Sequence, residues 1–146
     1  MSIENVSTVQ EIYAAFARGD VEAAMRRVKP DVDWGFAAPQ PGVPWHEPVR
    51  DASQVGRFFG TLAETVSMTR FEPREFVHSG PHLMVDVRIE YTVKATGRKV
   101  AMDQIHWWTL EDGKVRRLRH YEDTAQVLAA TATDVNPARG PENDAS

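Results

Sequence analysis

At 146 residues the chain has the length of one ordinary domain and can bury a single sizeable core. A formal net charge of -4 and a pI near 5.7 supply no basic field, which argues against nucleic acid as a partner. Without cysteine there is neither a disulfide nor a thiolate metal site, which suits the cytoplasm; the segment MSIENVSTV shows no basic stretch followed by an apolar core, and no apolar run is long enough for a membrane span.

In chain order, Val6, Val9, Ile12, Tyr13, Phe16 and Ala17 recur at helical spacing after Asn5, a good N-cap, and Gly19 closes the pattern. Asp20 caps a second, shorter helix with Val21, Ala24, Met25 and Val28 on its apolar stripe, stopped by Pro30. Val32 to Ala37 reads as a short strand pointing Trp34 and Phe36 the same way. The Pro/Gly-rich run from Pro39 to Pro48 is a loop carrying Trp45, His46 and Glu47, a candidate lid. A third helix, roughly Ala52 to Glu64, shows Val55, Phe58, Phe59 and Leu62 on one side. A strand from Met68 to Ser79 is interrupted at Pro73, suggesting an edge or a bulge. Leu83, Val85, Val87, Ile89, Tyr91 and Val93 then alternate with polar residues, the clearest period-two pattern in the chain.

The stretch from Val100 to Asp123 carries two strand-like runs around Asp112-Gly113, a strong hairpin signal. A two-residue turn there pairs Glu111 with Lys114 and every position with the one that brings the sum to 225. One face then holds Asp103 opposite Glu122, Ile105 opposite His120 and Trp107 opposite Leu118. The other holds Gln104 opposite Tyr121, His106 opposite Arg119 and Trp108 opposite Arg117. The competing assignment has a bulge in the Lys94 to Arg98 loop, which would exchange the faces and make His106 the inward, active histidine. The sequence predicts a last short helix from Thr124 to Ala132 and a disordered tail over 133–146, after a single domain over 1–132.

The segments YAAFARGD (Tyr13 to Asp20), PDVDW (Pro30 to Trp34), RFF (Arg57 to Phe59) and HWWTLEDGKVRRLRHYEDT (His106 to Thr124) together resemble the SnoaL-like branch of the NTF2-like, ketosteroid-isomerase-like superfamily. The resemblance implies an α+β fold, an NTF2-like cone in which N-terminal helices pack on a curved antiparallel sheet around a pocket. It also implies absences. The general-base aspartate of ketosteroid isomerases falls at about Phe36 and their second acid at Ile105. The arginine and two aspartates of limonene-epoxide hydrolases fall at Val87, Ile89 and His120, of which only the last ionises. Both comparisons set these residues and Trp34 on the concave side, with Asp103, Trp107, Leu118 and Glu122 following by alternation.

In such a pocket His120 is the expected general base or acid, with Asp103 or Glu122 as its partner. A neighbouring carboxylate fixes an imidazole's tautomer and raises its basicity, and a carboxyl among apolar side chains gains a proton and can donate to an oxyanion. Tyr13, Trp34, Phe36, Trp45, Phe59, Val87, Ile89, Tyr91, Ile105, Trp107 and Leu118 are the expected ligand-binding residues. The face bearing His106, Trp108, Arg117, Arg119 and Tyr121 is read as a homodimer interface, as in the family, with arginine stacking on tryptophan and histidine. No HxxxH or HxH pair, glycine-rich phosphate loop or GxSxG occurs, so no metal and no cofactor is expected. The reading is a cofactor-independent proton-transfer enzyme for a small hydrophobic carbonyl or polyketide-like compound. A ligand-binding module without chemistry and a dimerisation domain with a vestigial pocket remain its alternatives.

Overall fold

A computed structural model describes residues 2–133, so the tail expected from residue 133 onward lies outside it beyond Thr133. Helix α1 spans Ser2–Ala17, starting early enough that Asn5 sits buried within it rather than capping it. Gly19 ends the helix in the left-handed region (φ 75°) while Asp20 N–H reaches back to the Ala15 carbonyl at 2.8 Å. The Asp20 carboxylate then accepts from Ala23 N–H at 3.1 Å and starts α2, Val21–Met25.

Strand β1 covers Val28–Phe36 and therefore contains Pro30, which was expected to precede it. Proline is tolerated because β1 is an edge strand, with β5 as its one neighbour in the sheet, and slips register between Val28 and Asp33. After β1 come 3₁₀ turns at Pro44–His46 and Ala52–Gln54, α3 (Val55–Thr65), β2 (Val66–Ser79), β3 (His82–Val93), β4 (Lys99–Glu111), β5 (Lys114–Tyr121) and α4 (Thr124–Thr131). The sheet order is β1-β5-β4-β3-β2. Strands β2 to β5 form an antiparallel meander, but β1 runs parallel to β5, so the sheet is mixed rather than purely antiparallel. No hairpin joins β1 to its neighbour, so nothing local sets its direction. On the far edge, β2 slips register between Pro73 and Glu75, where proline cannot donate to the ladder.

The β4–β5 hairpin turns on Asp112 (φ 54°) and Gly113 (φ 76°), both left-handed as a two-residue primed turn requires. Glu111 faces Lys114 and Leu110 faces Val115, but Thr109 faces Arg117, leaving Arg116 as an extra residue. The bulge changes every later partner. His106 lies opposite His120, Trp107 opposite Arg119 and Trp108 opposite Leu118. None of the expected pairs beyond the bulge forms, and both histidines point inward. Asp103, Ile105 and Trp107 are consequently on the outer face, while His106 and Trp108, assigned to a dimer interface from sequence, are buried inside.

The core lies between the inner sheet face, α1, α3 and the loop after β1. Trp34 and Trp108, each 1% exposed, meet edge to face with ring centroids 5.8 Å apart. Such geometry adds about 0.5–1.5 kcal/mol to the area burial of the rings. No helix among the described residues is long and apolar enough to cross a membrane.

Candidate functional site

The inner sheet face and the helices do not close completely; they leave a hollow in which the centre of a water-sized sphere can range over about 60 Å3. Strands contribute Trp34 and Phe36 from β1, Leu118 and His120 from β5, and Ile89 and Tyr91 from β3. Tyr13 reaches in from α1, Phe59 from α3 and Trp45 from the loop. These nine are all residues singled out from sequence. Val87 lies on the same face but is fully covered, and Ile105 and Trp107 belong to the other side of the sheet. Gln104, His106 and Trp108, which only the alternative assignment of the hairpin's faces set inward, also line the hollow, as do Phe58 and Phe71, which were not expected to. Antiparallel bridging of Trp34 to Val49 in both directions (2.9 and 2.8 Å) fixes the loop that carries Trp45 and His46 to the edge of β1.

A directed chain of hydrogen bonds runs behind the hollow. Trp108 Nε1–H, which can only donate, gives to the Tyr13 hydroxyl oxygen at 3.1 Å. Because Gln104 turns its oxygen to His106, His106 Nε2–H donates to Gln104 Oε1 at 2.8 Å, which leaves Nδ1 of the neutral ring to accept from Tyr13 O–H at 2.7 Å. Gln104 Nε2–H continues to Glu122 Oε1 at 3.1 Å. From the other side, Gln40 N–H donates to His46 Nδ1 at 3.0 Å, which places the His46 proton on Nε2 and gives it to Glu122 Oε2 at 2.7 Å. The Glu122 carboxylate, its side chain 3% exposed, is the common acceptor of both chains. The sequence places His46 only in a candidate lid and gives Gln104 no role in the site; Glu122, which both reach, is 76 and 18 residues away, beyond any local signal.

His120 stands apart from that chain. Its Nδ1–H donates to the Gly35 carbonyl at 3.0 Å, so the lone pair is on Nε2, which has no protein partner among the described residues. The ring is stacked on Phe36 (centroids 4.3 Å apart, 18°), and Phe36 stacks in turn on His46 (4.3 Å, 27°). Burial drives the imidazole from 6.5 down to about 4, although the Gly35 carbonyl and the Glu122 carboxylate pull the other way. His106 is held well below its ordinary value by burial and then by His120. Both are neutral near pH 7. Burial likewise raises the Tyr13 phenol, against the Trp108 N–H that favours its anion, so it keeps its proton.

Asp103 does not join this site. It sits on the outer face, paired with Arg74 at 3.0 Å and Arg88 at 3.3 Å, because the β4 parity that turns His106 inward turns its odd-numbered neighbours outward.

The chain matches the sequence profile of the SnoaL-like domain over residues 9–118. No curated protein sequence matches it. Among solved structures it is similar to an NTF2-like protein from Burkholderia xenovorans, at 27% identity and a TM-score of 0.81 over 90% of this chain and 98% of that one. An NTF2-like protein of unknown function from Burkholderia pseudomallei gives 26% identity and a TM-score of 0.80 over 91% of this chain and 100% of that one. TerC, co-crystallised with polyporic acid, shares the fold at 23% identity and a TM-score of 0.77, covering 89% of this chain and 99% of that one. With the profile spanning most of the chain and the helices packed on a five-stranded mixed sheet, the protein belongs to the SnoaL-like domain family of the NTF2-like superfamily.

Proposed function

We propose that the protein is a cofactor-independent enzyme that moves a proton on a small, hydrophobic, polyketide-like carbonyl compound bound in the aromatic hollow. The observation that carries this reading is the free Nε2 of His120 facing a mostly apolar cavity while its Nδ1–H is tied to Gly35. A neutral imidazole so held is oriented to take a proton from the carbon next to a carbonyl, giving an enolate and an imidazolium. His106 is not suited to that task, since Nδ1 already accepts from Tyr13 and Nε2 already donates to Gln104. Glu122 supplies negative charge that favours the imidazolium of His120. Asp103, on the other face of the sheet, has no part in it.

A ligand-binding module without chemistry is the second reading, favoured by the weak basicity that burial imposes on His120. The similarity to TerC, crystallised with polyporic acid, is compatible with either. Incubation with 2-tetralone, a flat bicyclic ketone with acidic α-protons, in D2O separates them. The enzyme reading expects deuterium to enter the α-carbon faster with the protein than without it, and no acceleration with His120→Ala. The binding-module reading expects tetralone to bind with no acceleration by either protein.

The same proposal includes a homodimer through the outer sheet face. Met84, Ile105 and Tyr121 are 37%, 38% and 41% exposed there, Met84 opposite Trp107 and Tyr121 opposite Ile105, a patch that a second copy would cover. Arg117, exposed, and Arg119, bonded to both Asp33 carboxylate oxygens at 2.8 Å, would border it.

A further inference from the structure

Every residue lining the hollow is at most 8% exposed except Phe16, Phe59, Leu62, Met68 and Phe71. The opening is therefore bounded by these five. Phe16 comes from the last turn of α1, Phe59 and Leu62 lie three residues apart on one face of α3, and Met68 and Phe71 belong to the start of β2. The Phe16 and Phe59 rings touch, with centroids 3.9 Å apart. All five side chains are apolar, and Met68 and Phe71 stay 37% and 40% exposed.

Beyond the opening the apolar surface continues. All but Phe71 of the five also line a groove that runs on past Gly19, Val21, Gly56, Gly60, Ala63 and Val66, so no polar side chain borders it. The groove is tight beside α2, where a Cβ on Gly56 would meet Val21 Cγ1 at 3.7 Å. Over Gly60 it is open, because a Cβ there would meet nothing within 4 Å. The hollow by itself is small: about 60 Å3 for the centre of a water-sized sphere falls well short of the roughly 300–1,000 Å3 of ordinary ligand sites. A ligand of that usual size extends past the opening. Inside, His120 keeps an unpaired Nε2 for its polar end, whereas the opening and the groove offer no side-chain hydrogen bond.

We propose that the ligand is a carbonyl compound carrying an unbranched hydrocarbon chain, its carbonyl end in the hollow with His120 and its chain leading out past Phe16, Phe59 and Met68 into the groove over Gly60. This rests on the reading of the hollow as a ligand site and specifies the ligand's far end. A compound whose far end is charged or rich in hydroxyls does not fit, because the groove would strip its water and return no partner.

The test is a titration of the full chain with 2-hexanone and 2-undecanone, followed by tryptophan fluorescence and by the Val21 methyl resonances. Each methylene taken out of water tightens binding by about three- to fourfold, so the longer ketone is expected to bind about thirtyfold or more tighter. Gly60→Leu, which fills the groove with a better helix former than glycine, should cut that advantage by about tenfold and leave 2-hexanone unchanged. Val21 lines the groove and not the hollow, so its methyl groups should move with 2-undecanone and not with 2-hexanone, a readout that needs no substitution. A longer ketone with no advantage, an advantage untouched by Gly60→Leu, or unmoved Val21 methyl groups would overturn the inference while 2-hexanone binding keeps the hollow a ligand site. Val21 methyl groups that move with protein concentration instead of ketone would give the groove to a second copy and overturn it as well. Binding of neither ketone would overturn both readings.

Discussion

His106 and His120 face each other across β4 and β5 with ring centroids 4.7 Å apart, yet only His120 has a ring nitrogen to spare. His106 is committed on both sides, to Tyr13 and to Gln104. The division of labour follows from geometry: one imidazole belongs to a fixed hydrogen-bond chain and the other opens on the hollow.

Burial of a neutral histidine makes stability depend on pH. His120 titrates at about 4 in the folded chain and near 6.5 when unfolded, so between these values the unfolded state binds more protons. Stability contributed by this group is complete above about pH 6.5 and is lost as the pH falls toward 4, by about 3 kcal/mol in all. Urea midpoints measured at pH 7, 6 and 5 should fall with pH, and His120→Gln, which cannot titrate, should flatten the slope. Identical slopes for the two proteins would count against a buried neutral His120.

Glu122 collects two buried donors, from His46 and Gln104. Glu122→Gln replaces one acceptor oxygen by an NH2 group and leaves one donor facing another, a change that should cost about 1–3 kcal/mol. Chemical denaturation at pH 7 measures it. No change in midpoint would mean that water already satisfies those donors.

Arg116 is the extra residue of the β5 bulge, and its contacts are surface ion pairs with Asp31 at 3.5 Å and Glu111 at 3.7 Å. Deleting it joins Val115 to Arg117 in regular alternation and leaves Leu118 and His120 inward. The deletion should cost about 1 kcal/mol or less and preserve the near-ultraviolet dichroism of Trp34 and Trp108. A collapse of that signal would mean that the bulge itself holds the register.

Ile105 centres the outer patch with Met84, Trp107 and Tyr121 around it. If a second copy covers this patch, Ile105→Lys should convert a dimer to a monomer in analytical ultracentrifugation without lowering the monomer's helix content. A sedimentation coefficient unchanged by the substitution would place the interface elsewhere.

Much of this arrangement was legible in the chain. The alternation from Leu83 to Val93 identifies the inner face of β3, and the Asp112-Gly113 pair gives the turn conformation. The register beyond the turn was the weak point, because β4 presents large apolar or aromatic side chains on both faces, Trp108 inward and Ile105 and Trp107 outward, so parity alone does not choose. The signal that decides it lies in β5. Val115-Arg116-Arg117-Leu118 places two polar residues between two apolar ones, which a regular strand cannot do without turning one of them inward, and a bulge resolves the conflict. With that bulge both histidines face the hollow and Gln104 follows by parity. The meeting of His46 with Glu122 was not legible, since it depends on how a loop folds back across the sheet rather than on spacing. The parallel placement of β1 was hidden for a similar reason: its partner is the last strand of the chain, not a sequence neighbour.

The central claim is that the free nitrogen of His120 takes the proton, and the pH dependence of α-deuteration of 2-tetralone tests it most directly. The base works only when unprotonated, so the protein-dependent rate should rise through about pH 4, stay level to pH 8 and vanish in His120→Ala while tetralone still binds. A protein-dependent rate that survives His120→Ala, or none at any pH from a wild-type protein that binds the ketone, would contradict it.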